Sequence, residues 1–221
     1  ANAFTIAATD SWSRVNTVEQ ITASASSNAY SVIVNDNITD AGVNTIDLSG
    51  DTNAAGVNSI DISNDTTGSV ITTITGSSGK DIILDNTVAQ TITGGGGDDT
   101  FKYNVADLVA NGGFVDSIGG GDGTDAIELN SNSSALTIAV TDSWARVSGL
   151  EKLTAVASDN AYSITVNDNV TNSGLTTIDL SGDTKANGSN TVDLSDDTVG
   201  SIITTIIGSA GNDTITGNSI A

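Results

Sequence analysis

The stretch Ile46-Asp47-Leu48-Ser49-Gly50-Asp51-Thr52 decides the fold, because it returns, every position advanced by 14, as Ile60-Asp61-Ile62-Ser63-Asn64-Asp65-Thr66. The same step once more reaches Ile74, which closes the run Ile71-Thr72-Thr73-Ile74 shortly before Gly76. Within each echo Ile or Leu alternates with Asp or Ser, the period-2 pattern of a strand buried on one face. Short strands parted by Gly/Asp/Asn turns at near-constant spacing predict stacked coils, each covering its neighbour around a column of aliphatic side chains. The expected fold class is therefore all-β, a parallel β-solenoid (β-helix). The chain has no proline, which suits strands that must all donate N–H groups to the next coil. Two segments predict helix instead. Asp10 to Ile21 places Trp12, Val15, Val18 and Ile21 at helix-like spacing, and Val105 to Ala110 is long enough for one or two turns.

A longer period encloses the short one. Residues 9–83 align without a gap on 141–215 at an offset of 132, with 47 of 75 positions identical. Trp12 matches Trp144, Tyr30 matches Tyr162, and Ile46-Asp47-Leu48-Ser49-Gly50-Asp51-Thr52 matches the run from Ile178. The domains expected are a first repeat over 3–134 and a second, truncated one over 135–221, cut from a longer array. Modular surface proteins repeat themselves in this way; globular enzymes rarely do.

Composition excludes much chemistry. Without cysteine or histidine there is no disulfide framework, thiolate metal site, thiol nucleophile or imidazole base. Six Lys and Arg against 27 acids give a formal net charge of −21, which makes nucleic acid and anionic membranes poor partners. No apolar run approaches the roughly 18 residues of a membrane-spanning helix, so membrane insertion is not expected. Of the acids 24 are Asp and three are Glu (Glu19, Glu128, Glu151). Asp favours turns where Glu favours helix, so the carboxylates belong to the turns.

The chemistry-bearing motif follows. Residues 94–102 read GGGGDDTFK and residues 120–128 read GGDGTDAIE, both matching the nonapeptide G-G-x-G-x-D-x-U-x with Phe101 and Ile127 at the large apolar position U. Residues 76–84 (GSSGKDIIL) and 208–216 (GSAGNDTIT) match with Ser in place of the second glycine. Gly76 and Gly94 stand 18 apart, as do Asp81 and Asp99; the intervening Asp85–Thr93 has lost its glycines but keeps Ile92 at the apolar position. Glycine lets such a turn adopt φ > 0 and aim carbonyls inward, and Asp adds a carboxylate, a set of hard oxygen donors suited to Ca²⁺. Gly94 and Gly120 are 26 apart, across an insert from Tyr103 to Ser117, so the last turn is expected to fall out of the stack.

These residues resemble the RTX family, the glycine-rich calcium-binding β-roll repeats of secreted bacterial proteins. The resemblance to the roll proper covers about 76–128 and 208–221. The run from Val15 to Thr22 and Thr45-Ile46-Asp47-Leu48-Ser49-Gly50 look like the strand-rich repeats of RTX-type S-layer and large adhesin proteins, and Phe101 to Leu129 resembles the closing segment of many RTX modules. The resemblance implies Ca²⁺ as the bound ion. Asp81, Asp99, Asp125 and Asp213 would be its carboxylate ligands, and Gly76, Gly79, Gly94, Gly95, Gly97, Gly120, Gly121, Gly123, Gly208 and Gly211 would shape the turns. It also implies an extracellular, cell-surface location reached through type I secretion, and a non-catalytic role in an S-layer, filament or adhesin. Self-association into a lattice or filament is the expected partnership; nothing identifies an adhesion ligand. The rival readings are a passive stalk in a giant adhesin and the calcium-binding tail of a secreted hydrolase, the duplication speaking against the latter.

Asp51, Asp65, Asp183 and Asp197, in the SGDT and NDT/DDT turns, admit both side-chain turn hydrogen bonding and additional calcium. Trp12, Trp144, Tyr30 and Tyr162 read as core plugs or caps rather than sugar-stacking platforms, and the pairs Thr72-Thr73 and Thr204-Thr205 as strand formers rather than an ice-binding face. Asp98 sits at a variable position of the nonapeptide and Asp99 at its ligand position, which argues against acid–base catalysis by the pair.

Overall fold

The computed structural model describes residues 4–7, 9–12, 14–53, 56–110, 112–130, 136–185 and 189–219. The expected boundaries at residue 3 and at 134/135 lie outside them. The chain divides into two compact units: Ala1–Phe101 with Asp116–Asp125, and Lys102–Val115 with Ala126–Ala221.

In the first unit the strands are β1 (Phe4–Ile6), β2 (Gln20–Thr22), β3 (Tyr30–Asn35), β4 (Thr45–Asp47), β5 (Val57–Asn64), β6 (Thr73–Thr75), β7 (Lys80–Leu84) and β8 (Thr91–Gly96), with a single helical turn α1 (Ile38–Ala41). After β9 (Thr100–Asn104), α2 (Val105–Leu108), β10 (Val109–Ala110) and β11 (Gly113–Phe114), strand β12 (Ser117–Asp122) returns to this unit. Strands β1, β3, β5 and β7 pair in parallel, and so do β2, β4, β6, β8 and β12. Successive strands thus alternate between two parallel ladders, the arrangement of a β-solenoid.

The short echo is half a coil. Ile46 pairs across the ladder with Ile74, while Ile60 between them lies in the other ladder opposite Val32. The offset between partners is 28 from Ile46 to Ile74, falls to 18 from Ile74 to Ile92 and rises to 26 from Ile92 to Ile118. Ile46, Ile74, Ile92 and Ile118 form one continuous inner column, each at most 1% exposed. Replacing Ile74 by Ala is expected to cost about 2–5 kcal/mol, because the cavity is walled by coils that cannot collapse into it. Thr91→Ala, on the outer face of the same sheet, should stay within about 0.5 kcal/mol. Urea unfolding of the two variants checks this, and equal losses would contradict the inward assignment.

In the second unit β13 (Ala126–Asn130), β14 (Leu136–Ile138), β15 (Val147–Ser148), β16 (Lys152–Ala155), β17 (Tyr162–Asn167), β18 (Thr177–Asp179), β19 (Ser189–Asp196), β20 (Thr205–Ile207) and β21 (Asn212–Thr216) follow, with a 3₁₀ segment at Asp168–Ser173. The ladders β13-β16-β18-β20 and β14-β17-β19-β21 are again parallel; β10 and β11 form a short antiparallel pair. Trp144 is fully buried, its ring 4.7 Å from that of Phe114, and Tyr162 is fully buried as well, as core plugs should be.

The helix expected over Asp10–Ile21 does not form: among the described residues there, only turns and the start of β2 are seen. Val15 N–H bonds to the Trp12 carbonyl (2.8 Å) as a turn and Val18 N–H to the Ala41 carbonyl of another segment (3.1 Å). Tertiary pairing supplies the backbone partners that a short helix would otherwise provide. At Val105 one helical turn forms, and the chain becomes extended at Val109.

Candidate calcium-binding turns

The nonapeptide turns start just after β6 and within the last residues of β8 and β12, where each chain segment reverses between ladders. Gly95 and Gly121 are directly opposed across the β8–β12 ladder, with φ of +109° and +113°. A Cβ on Gly95 would run into the Ser77 carbonyl oxygen, and one on Gly121 into that of Gly95. Backbone therefore packs on backbone in this column, and only glycine meets both the dihedral and the spacing. The turn at Gly120 is not displaced by the longer interval that precedes it. β12 resumes in register beside β8, because the insert is taken up between β9 and β12 and leaves the paired strands unshifted.

The carboxylates of these turns point inward and climb the stack. Asp99 Oδ1 accepts from Asp81 N–H (2.7 Å), and Asp125 Oδ1 accepts from Asp99 N–H (2.8 Å). Asp81 Oδ2 accepts instead from the Ser77 N–H (2.7 Å) and hydroxyl (2.9 Å) of its own turn, which is what serine does in place of the second glycine. Asp81, Asp99 and Asp125 are all at most 1% exposed. Asp81 Oδ1 and Asp99 Oδ2 are buried with no hydrogen-bond partner. Burial, with lesser repulsion from Asp81, Asp125 and Asp98, pushes the Asp99 carboxyl up to about 8 against one backbone bond that favours its ionised form. The Asp81 carboxyl is raised for the same leading reason. At neutral pH the Asp99 carboxyl needs a proton or a cation.

In the second unit Asp213 has donors for both oxygens, Ser209 N–H to Oδ2 and Ser209 hydroxyl to Oδ1, each at 2.8 Å. A Cβ on Gly208 would press on this carboxylate, 2.6 Å from Oδ2.

In each unit one residue paired with a turn aspartate escapes the glycine pattern. Asn58 is paired with Asp81 and Asn190 with Asp213. Each amide oxygen accepts from the N–H one coil earlier, Tyr30 (2.8 Å) and Tyr162 (2.9 Å), as the aspartates do. Each amide nitrogen donates to the SGDT carboxylate, Asp51 at 3.2 Å and Asp183 at 2.9 Å. The other oxygen of each accepts from Ser26 N–H and Ser158 N–H, both at 3.0 Å. These two carboxylates are thus satisfied by protein on both oxygens. Asn58 and Asn190 stand outside any glycine-rich run; their signal is an Asn at the seventh position after Asp in both repeats. The carboxylate form of this ladder recurs at Asp116, whose Oδ1 accepts from the Gln90 N–H one coil earlier (2.6 Å).

Protein-family models, curated proteins and solved structures give no match to this chain.

The donor set nonetheless fits a hard cation. It offers buried, unpartnered carboxylate oxygens beside turns whose glycines bring backbone carbonyls together, and Ca²⁺ takes roughly 6–8 oxygens from such groups. No cluster of three or more carboxylates converges among the described residues, so an ion here would draw on carbonyls as well as on Asp81, Asp99 and Asp125.

Proposed function

We propose that this chain is a structural, calcium-binding repeat of a secreted bacterial cell-surface protein, an S-layer, filament or extended adhesin, that folds and assembles on meeting extracellular calcium. The observation that carries the reading is the pair of buried, unpartnered oxygens, Asp81 Oδ1 and Asp99 Oδ2, in consecutive turns of a glycine-packed stack. A cation would neutralise these carboxylates and tie adjacent turns together. Asp81, Asp99 and Asp125 would hold it, with Gly95 and Gly121 keeping the carbonyls close enough to share it. The formal net charge of −21 opposes compaction when no ion is bound. Each ion that binds only the folded chain adds about 2.7 kcal/mol at 100 times its Kd, and extracellular calcium modules bind at roughly 10⁻⁴–10⁻³ M. Low cytosolic calcium would then leave the chain unfolded for export, and folding would follow outside.

Circular dichroism and sedimentation during a titration from chelator into calcium, with magnesium as control, test the reading. A cooperative gain of β signal near millimolar calcium, absent with magnesium, is expected, together with a rise in sedimentation coefficient as copies associate. A gain of structure without association would favour a passive stalk over a lattice former. A chain already folded in chelator and indifferent to calcium would overturn the proposal.

A further inference from the structure

We propose a second kind of calcium site, in the Asp-Thr-x-Gly-Ser turns, with the Asp197 carboxylate and the Ser201 hydroxyl as its side-chain ligands and Asp65 with Ser69 as the counterpart in the other repeat. The identity of the ion rests on the calcium reading above; the site itself does not involve the nonapeptide turns.

The two turns are Asp65-Thr66-Thr67-Gly68-Ser69 and Asp197-Thr198-Val199-Gly200-Ser201. Each has one glycine, in the left-handed region at φ +67° and +69°, where it turns the chain; in the first repeat Ser69 Oγ donates to Asp65 Oδ2 (2.6 Å), while in the second Ser201 Oγ and the Asp197 carboxylate make no such bond. The preceding coil fixes each turn from behind. Asp36 Oδ1 accepts from Thr66 and Thr67 N–H (2.6 and 2.8 Å), and Asp168 Oδ1 accepts from Thr198 and Val199 N–H. The carboxylate at the head of the turn faces inward, and both Asp65 and Asp197 are fully buried.

Unlike Asp51 and Asp183, which the amides of Asn58 and Asn190 close, these two carboxylates are left open. Asp65 Oδ1 has no hydrogen-bond partner; in the second repeat neither oxygen of Asp197 has one, nor does Ser201 Oγ. No lysine or arginine pairs with them: the ion pairs among the described residues are Lys102–Glu128 and Lys185–Asp159. An ionised carboxylate withdrawn from water requires a compensating charge or donor. Oxygen-only donors in a small turn select a hard cation, with carbonyls and water completing its shell. In the first repeat Asn86 Nδ2 donates to the Asp65 carbonyl (2.9 Å) and to Ser69 Oγ (3.4 Å), which occupies lone pairs an ion would use. The Asp197 turn is therefore the tighter of the two.

Counting bound radiocalcium by equilibrium dialysis of the full chain tests this. Asp197→Asn should remove one ion from the count while the β spectrum in calcium persists. Ser201→Ala should weaken one site about tenfold without altering the fold, and it decides the matter if Asp197→Asn does not fold. Asp65→Asn should affect only the weakest site. An unchanged binding curve in Ser201→Ala together with an unchanged count in Asp197→Asn would sink the inference. If Asp99→Asn loses ions while the Asp197 and Ser201 variants lose none, this site falls and the nonapeptide reading stands. A wild-type chain that binds no calcium would remove both.

Discussion

Gly121→Ala is expected to cost about 3 kcal/mol or more and to unstack the turns from Gly76 to Asp125. Two penalties combine there. A φ of +113° lies beyond what an L side chain adopts without strain, roughly 1–3 kcal/mol. The new methyl also falls on the carbonyl oxygen of Gly95, and overpacking against backbone that is itself stacked costs roughly another 1–3 kcal/mol. Gly68→Ala is the matched comparison: its φ is +67° with nothing within 4 Å of the added Cβ, so only the left-handed penalty of about 1–2 kcal/mol remains. Urea unfolding, with hydrogen exchange followed over 94–99, measures both. Equal losses at the two positions would mean that the turns do not pack backbone to backbone.

Raising the pH of the chelated protein from about 5 to 8 is expected to destabilise it. The Asp99 carboxyl stands at about 8 in the folded chain against an ordinary value of 3.8, so between those values the folded state holds a proton that the unfolded state has released. Stability from this group is complete below 3.8, falls by at most about 1.4 kcal/mol per pH unit through the window, and levels off above about 8. Asp81 and Asp65, also raised by burial, add slope of the same sign. Asp36 and Asp168 act oppositely. Their backbone bonds hold them below 3.8, so their contribution is lost only in stronger acid. A calcium ion bound there as proposed would replace the proton at Asp99, so saturating calcium should flatten the slope, as should Asp99→Asn in chelator. The β signal of the chelated chain, followed by circular dichroism at several pH values, reads this directly, and a folded fraction that is flat or rises over that range would refute it.

The solenoid was legible because alternation and turn residues are local, and both recur at fixed intervals around Ile46, Ile60 and Ile74. Which echo joins which ladder was not legible. A half-coil and a whole coil carry the same alternation, and only pairing shows that Ile46 meets Ile74 rather than Ile60. The glycine turns were legible at Gly95, Gly97, Gly121 and Gly123, whose positive φ few other residues adopt, whereas Gly76, Gly79, Gly94, Gly120, Gly208 and Gly211 do not take it. Asn58 and Asn190 were not legible, since an amide that mimics a carboxylate in a backbone ladder leaves no compositional mark. The Trp12, Val15, Val18 and Ile21 spacing misled for a related reason: apolar residues three apart also occur in an irregular segment, and here Trp12 is buried while Val18 is exposed. The long interval between Gly94 and Gly120 suggested a break, but insert length does not disturb register when the insert lies between paired strands.

Unequal coil lengths have a mechanical consequence. Strands in register are stacked about 4.8 Å apart, while paired positions are separated along the chain by 28 from Thr45 to Thr73 and by 18 from Thr73 to Thr91. Pulled from its ends, a coil that peels away exchanges about 4.8 Å of rise for roughly 95 or 60 Å of extended chain. Parallel strands loaded across the ladder open one hydrogen bond at a time rather than sharing the force. Such a stack yields in discrete lengthening steps of different sizes, absorbing work long before the covalent chain is strained.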